Sequence, residues 1–288
     1  MNLSESVYEI SKNIMEDSSY VTLNYEQIER IADQMKQEPA PSFPVPQVND
    51  VHKGTLLELV AASINYCYWY GKSTVRPHNA GSTKMYDLLM ASFEKYTFGY
   101  TEYSFEDAIE TFKIALSQNR FPLLEERFRH LNELIEKDAI QYIIKLVDQK
   151  DKYPIQEHMT ALISLYPGFA SDIFLKRASL FFIQLFRRFG WFKDDLKTLH
   201  VPADYQVPKM LNDFKCTEYN FSLQTSIESS ILIHKGSLAE CEIRAATILA
   251  IKKLCELTGW NVAEVDGYFF LKRYESTSPF HLTITTDY

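Results

Sequence analysis

Apolar residues along this chain recur mostly at intervals of three and four, the spacing that gathers side chains on one face of an α-helix. That period predicts helices over 25–35, 55–68, 85–95, 105–117, 123–135, 139–147, 155–166, 174–189 and 239–257. Period-two alternation is sparse, and it predicts short strands at 268–270 and 282–286. The run Pro39-Ala-Pro-Ser-Phe-Pro-Val-Pro46 cannot lie inside a helix and reads as a stiff connector. Arg76-Pro-His-Asn-Ala-Gly-Ser-Thr83 reads as a polar loop. No internal repeat is visible, which disfavours a solenoid. The expectation is a mainly α, multi-helix globular fold with a few short strands. It forms a single domain over 1–288, with an N-terminal helical part to about 120 and a C-terminal part from about 121 that carries the chemistry.

Composition narrows the picture. With 288 residues, 46% apolar and 24% charged, the chain is an ordinary globular sequence with enough length for a large core. A net charge of −8 argues against tracking a nucleic-acid backbone, which needs clustered cations. Lys176, Arg177, Arg187 and Arg188 do fall on one helical stretch, with Lys176 and Arg187 eleven residues apart on one face. They read as a solvated face with apolar stems rather than as a phosphate track. Cys67, Cys216, Cys241 and Cys255 show no C-x-x-C pairing and are expected as buried, reduced thiols. The seven histidines lack metal-ligand spacing, so neither metal nor cofactor is expected, and His281 is expected to order the tail. The opening residues lack the basic and apolar regions of a secretory leader, and no run of about eighteen apolar residues exists. A cytoplasmic protein without membrane contact is expected.

Two segments concentrate the chemistry. Pro202-Ala-Asp-Tyr-Gln-Val-Pro-Lys-Met-Leu211 holds Asp204 between two prolines, on a link too stiff for the carboxylate to wander. Gly236-Ser-Leu-Ala-Glu-Cys-Glu-Ile-Arg-Ala-Ala-Thr247 opens a helix, with Ser237 and Glu240 spaced as a capping box. Glu242 and Arg244, two apart on that helix, are expected to face different ways, so that at most one looks inward. From the residues alone, Asp204 either caps the helix starting near Val207 or serves a site. Asn65 and Trp69 fall one helical turn apart, at the end of the helix predicted over 55–68, as a structural clamp or as pocket lining.

These segments resemble the queuosine salvage family, queuosine 5′-phosphate N-glycosylase/hydrolases, whose pattern is close to F-A-D-Y-R-V-P-Q followed by G-S-x-x-E-x-E-I-R-A-A-T. Further phrases agree in order: Ser18 to Ala32, Ile64-Asn-Tyr-Cys-Tyr-Trp69, Phe121 to Arg127, Phe174 to Ala178, and the tail from Glu264 through Pro279-Phe-His281 to Tyr288. The resemblance implies helical packing akin to helix-hairpin-helix DNA glycosylases. It implies hydrolysis of the N-glycosidic bond of queuosine 5′-phosphate or a related 7-deazapurine nucleotide, releasing queuine for salvage into tRNA modification. Asp204 is the implied catalytic carboxylate. Asp266, Pro202, Tyr205, Gly267, Lys176, Asn65, Trp69 and Leu271 are the implied substrate-binding positions. The implied partner is a small-molecule nucleotide or nucleoside, with no direct nucleic-acid binding. The alternatives are a nucleosidase with altered base choice and a non-catalytic nucleoside- or nucleotide-binding protein.

The chain also departs from that pattern. Pro202 stands where a base-stacking phenylalanine is expected, and Gln206 where an arginine is expected. Gly267 replaces an aromatic residue and Leu271 a polar one; Leu282 and Ile284 stand in the tail where the pattern has arginines. A histidine expected ahead of the Asn65 helix is missing, and Phe43 or its neighbours occupy that region. These changes bear on base and phosphate recognition more than on Asp204.

Overall fold

The computed structural model describes residues 2–43, 45–69, 81–100 and 102–288. Residues 76–80 of the predicted loop lie outside the described residues; Gly81 precedes a helix, and Ser82 and Thr83, expected in the loop, form the start of that helix. The helices α1 (Leu3–Glu16) and α2 (Tyr25–Met35) flank the short strand β1 (Val21–Leu23). Then follow α3 (Val51–Ser63), α4 (Ser82–Ser92), α5 (Phe105–Gln118), α6 (Leu124–Glu136), α7 (Ala139–Gln149), α8 (Ile155–Leu165), α9 (Pro167–Ala170) and α10 (Lys176–Phe189). The last third holds α11 (Gln206–Asp213), β2 (Thr217–Tyr219), α12 (Phe221–Glu228), α13 (Leu238–Thr258) and α14 (Val262–Lys272). The protein is mainly α.

Two buried helices organise the packing. α13 is enclosed by α1, α2, α11, α14 and β1, while α10 lies against α3, α8 and α14. An apolar cluster runs from Val7 to Tyr288, and a smaller one, including Val21, Leu223 and Ile243, sits beside the β1–β2 pair. β1 and β2 are antiparallel, with Val21 opposite Tyr219 and Leu23 opposite Thr217. Because α13 is covered on several sides, Glu240, Glu242 and Arg244 are all buried. Glu242 accepts the backbone N–H groups of Ser19, Tyr20 and Val21 at 3.1, 2.7 and 3.0 Å and so ties β1 to the helix, while Arg244 points to another wall. The expectation that only one of the two turns inward fails for that reason. The expected capping box is also altered: the Ser237 side chain accepts the Glu240 N–H, but Glu240 Oε2 accepts from Gly236 instead.

Three other expectations change. The chain leaves α3 at Ser63 rather than continuing to Tyr68, because the buried Arg127 guanidinium donates to the carbonyls of Ile64, Tyr66 and Cys67. The Cys67 N–H donates instead to the Tyr288 carbonyl at 2.9 Å. Residues 268–270, expected as a strand, lie inside α14, which Asn261 and Glu264 start with a full capping box. Residues 282–286 form no strand beyond one bridge between Leu282 and Leu232. The four cysteines are free; Cys67 and Cys216 are buried, Cys241 and Cys255 partly so.

Candidate active site

The link before α11 is fixed along its backbone. Tyr8 donates its hydroxyl to the Leu199 carbonyl, Ser179 donates to that of His200, and Arg244 Nε donates to that of Ala203 at 3.0 Å. Arg244 is itself held by Asp172, whose two oxygens accept at 2.8 and 2.6 Å. Burial works to raise the Asp172 carboxyl, but Arg244 and the backbone N–H groups of Lys176 and Phe174 together hold it below its usual range. Asp172 also accepts the N–H groups of Phe174 and Lys176, so one carboxylate anchors the start of α10 and, through Arg244, the residue before Asp204.

Asp204 Oδ1 accepts the N–H groups of Gln206 at 2.7 Å and Val207 at 3.2 Å, capping the first turn of α11. The same half-buried side chain lines a cavity of about 360 Å³. Among the described residues no hydrogen bond to Oδ2 is found. Capping α11 with one oxygen therefore does not withdraw the Asp204 side chain from the cavity wall.

Asp266, on α14, lines the same cavity, and its Oδ2 accepts from Arg187 Nη2 at 2.8 Å. Burial pushes this carboxyl up, against the pull of Arg187, and the neighbouring Asp204 charge adds to the rise. Arg187 also donates to the Ala263 carbonyl at 3.1 Å and to Gln184 Oε1 at 3.2 Å, and its guanidinium lies 4.1 Å from the Phe43 ring centroid.

Lys176, at the start of α10, donates to the Asn65 carbonyl at 2.7 Å and to Asn65 Oδ1 at 3.1 Å. Burial pushes the ammonium down to about 8, with the Asp204 charge opposing the fall. Lys176 and Arg177 are buried and the side chains of Arg187 and Arg188 are only 6% and 3% exposed, so the solvated-face reading is overturned. Packing between α3, α8 and α14 leaves α10 no broad wet face.

Of the positions singled out from sequence, Asn65, Lys176, Pro202, Asp204, Tyr205, Asp266 and Leu271 line the cavity. Gly267 adjoins it: a Cβ added there would lie 3.6 Å from both Arg187 and Pro41 and 3.9 Å from Phe43. Trp69 does not line it. It is 1% exposed in the apolar core, because the early end of α3 removes the helical register that would have aligned it with Asn65. His281 donates to or accepts from the Tyr288 hydroxyl at 3.1 Å, ordering the tail as expected.

Sequence reasoning missed Phe43, Tyr86, Gln184, Arg187, Phe270 and Tyr288 as cavity residues. Part of this was readable: Lys176, Leu180, Gln184 and Arg187 follow one another at helical spacing and all line the cavity. Tyr86 was not readable. Its hydroxyl donates to the fully buried Glu58 at 2.5 Å and accepts from Gln184 at 3.2 Å, joining α3, α4 and α10. A second depression of about 450 Å³ lies between α7 and α8, but its one carboxylate, Asp138, is occupied capping α7. Among the described residues no group of three His, Cys, Asp or Glu side chains could hold a metal, and no helix is long and apolar enough to cross a membrane.

The family profile described as queuosine salvage protein matches residues 58–266. The chain belongs to that family. A queuosine 5′-phosphate N-glycosylase/hydrolase of Dictyostelium discoideum is 34% identical over 141 aligned positions, covering 43% of this chain and 42% of the relative, well under two thirds of its length. One of the same name from Sphaerobacter thermophilus is 30% identical over 239 positions, covering 73% of this chain and 71% of the relative. Within this member of the queuosine salvage family, Lys176, Asp204 and Asp266 fall inside the matched span, whereas the segment bearing Pro41 and Phe43 precedes it.

Proposed function

We propose that this protein hydrolyses the N-glycosidic bond of queuosine 5′-phosphate, releasing queuine and ribose 5-phosphate. The observation that carries this reading is that two carboxylates, Asp204 and Asp266, and one ammonium, Lys176, line a single cavity. In such a reaction the C1′–N bond breaks, its electron pair leaves with the base, and positive charge builds on the ribose. Water then supplies a hydroxyl to C1′ and a proton to the base. A carboxylate oxygen beneath C1′ stabilises that charge or attacks it. Asp204 Oδ2 suits the role, because Oδ1 is already committed to α11 and fixes the orientation of the group.

In this reading Asp266 accepts N–H groups from the base edge. Arg187 engages Oδ2, which leaves Oδ1 and a second lone pair on Oδ2 for the base. Lys176 meets the 5′-phosphate. A 7-deazapurine lacks the ring nitrogen that purine glycosidases commonly protonate, so charge stabilisation by Asp204 carries more of the barrier. A pH–rate profile without an acid limb is the expected signature. The substrate is the free nucleotide rather than intact nucleic acid, in keeping with the net charge of −8, and the four free thiols suit a reducing cytoplasm.

Incubation with queuosine, its 5′-monophosphate and queuosine-containing tRNA, followed by chromatography for free base, tests the reading. Release from the monophosphate is expected. Release from the nucleoside alone would indicate a nucleosidase, release from tRNA would overturn the charge argument, and binding without turnover would indicate a non-catalytic protein.

A further inference from the structure

The segment Pro39–Pro46 was read above as a connector, yet it forms part of the cavity wall: Phe43, Val45 and Pro46 all line it. Three of its prolines fall within the described residues and stiffen it, and Arg188 ties it down by donating to the Pro46 carbonyl. Arg188 is held in turn by the buried Glu58. The strap is thus anchored from α10 and α3, and it brings an aromatic ring over the cavity.

That ring differs from three of the cavity's tyrosines. Tyr205 is packed on Phe280 at 4.5 Å, Tyr66 lies under Arg127 at 4.5 Å and Tyr288 under Arg244 at 4.3 Å, and all three are buried. Phe43 is only half-buried and rests one face on Arg187, the guanidinium that grips Asp266. Phe270 stands 5.7 Å away, tilted by 46°. Gly267 follows Asp266 directly, and the atoms nearest to an added Cβ there belong to Arg187, Pro41 and Phe43. A large side chain at 267 would occupy the space the strap now fills.

We propose that Phe43 is the face on which the planar heteroaromatic base of the substrate stacks, and that Gly267 is the space into which the strap carrying it fits. This makes Phe43 a specificity-determining residue and rests on the nucleotide-hydrolase reading above. Asp266 holds the edge of the base while Phe43 covers its plane, and the cation on the ring's far face fixes the ring in place. Stacking recognises any flat base, so the contact confers affinity for the aromatic system rather than for one pattern of donors.

The test is inhibition by free queuine, together with the KM for queuosine 5′-phosphate, in wild type and in Phe43→Ala, Phe43→Leu, Phe43→Trp and Gly267→Trp. Loss of a stacking face raises the queuine inhibition constant and the nucleotide KM together by roughly 5- to 100-fold in Phe43→Ala. Phe43→Leu fills similar space without a π face and is expected to be nearly as weak, whereas Phe43→Trp keeps wild-type values or improves them. Gly267→Trp is expected to weaken queuine to a similar degree. A queuine inhibition constant within twofold of wild type in Phe43→Ala, or equal values for leucine and tryptophan at 43, overturns the proposal. If the wild type fails to turn over the nucleotide, the hydrolase reading fails separately. Calorimetric binding of queuine to wild type and Phe43→Ala then decides Phe43 by itself, with equal affinities counting against it.

Discussion

Asp204 caps α11 with one oxygen and, in the proposed reaction, faces the ribose with the other, and substitutions separate the two roles. Asn keeps an oxygen able to accept the Gln206 and Val207 N–H groups, so Asp204→Asn is expected to melt within a degree or two of wild type while losing turnover by roughly 10²–10³-fold or more. Asp204→Ala removes the cap as well and costs about 1 kcal/mol of stability in denaturant titration. Near-normal turnover in the Asn variant would remove Asp204 from the mechanism. Lys176 carries a pH signature. Its ammonium titrates at about 8 in the fold instead of near its usual value, since burial disfavours the charge. Between about pH 8 and 10.5 the unfolded chain holds more protons at this group than the folded one, so its contribution to stability rises with pH across that window. Substrate binding moves the opposite way: the nucleotide KM is expected to climb above pH 8, approaching tenfold per unit. In Lys176→Met it should be high and flat over the same range.

At the scale of elements, the site depends on how α10 and α13 are joined. Asp172 accepts from the first turn of α10 and from Arg244 of α13, and Arg244 passes the constraint to the carbonyl of Ala203. Asp172→Ala leaves a buried guanidinium with only its longer carboxylate contact, to Glu240 at 3.4 Å. It is expected to cost about 3–5 kcal/mol, measured from the shift of the denaturant midpoint. Substituting Leu at 172 together with Met at 244 should recover part of that loss in stability. Turnover should not recover with it, because Ala203 stays untethered. Periodicity revealed these helices well: eight of the nine predicted spans agree with the observed ones to within three residues, while α3 both starts four residues and ends five residues ahead of its predicted span. That end is set by Arg127, far off in sequence, taking three carbonyls at once, which no local pattern encodes. The strand expected at 268–270 failed similarly. A run of aromatics favours extended structure locally, but the Asn261–Glu264 box and packing on α11 and α13 hold it as helix.

The whole molecule carries an acid-sensitive core. His130, His200 and His281 are buried, and burial pushes them down to about 3, 4 and 3. As pH falls from about 6.5 towards 4, the unfolded chain takes up protons at these three sites and the folded chain does not. Stability is therefore full above that window and lost through it, at up to about 4 kcal/mol per pH unit. Thermal melts between pH 7 and 4 should show a steep fall, and replacing His281 by Phe should flatten it. A melting temperature constant down to pH 4 would contradict the burial of these rings.

The sequence by itself determined the helical class, the proline-fixed setting of Asp204, the stripe on α10 and the family phrases, because each rests on spacing or on residue types a few positions apart. It could not decide that Trp69 lies in the core, that the basic residues of α10 are buried, or that Phe43 borders the same cavity as Asp266. Those outcomes depend on which distant backbone groups claim Arg127, Arg187 and Arg244. Such long-range pairings are settled only when the helices close around them and water is excluded.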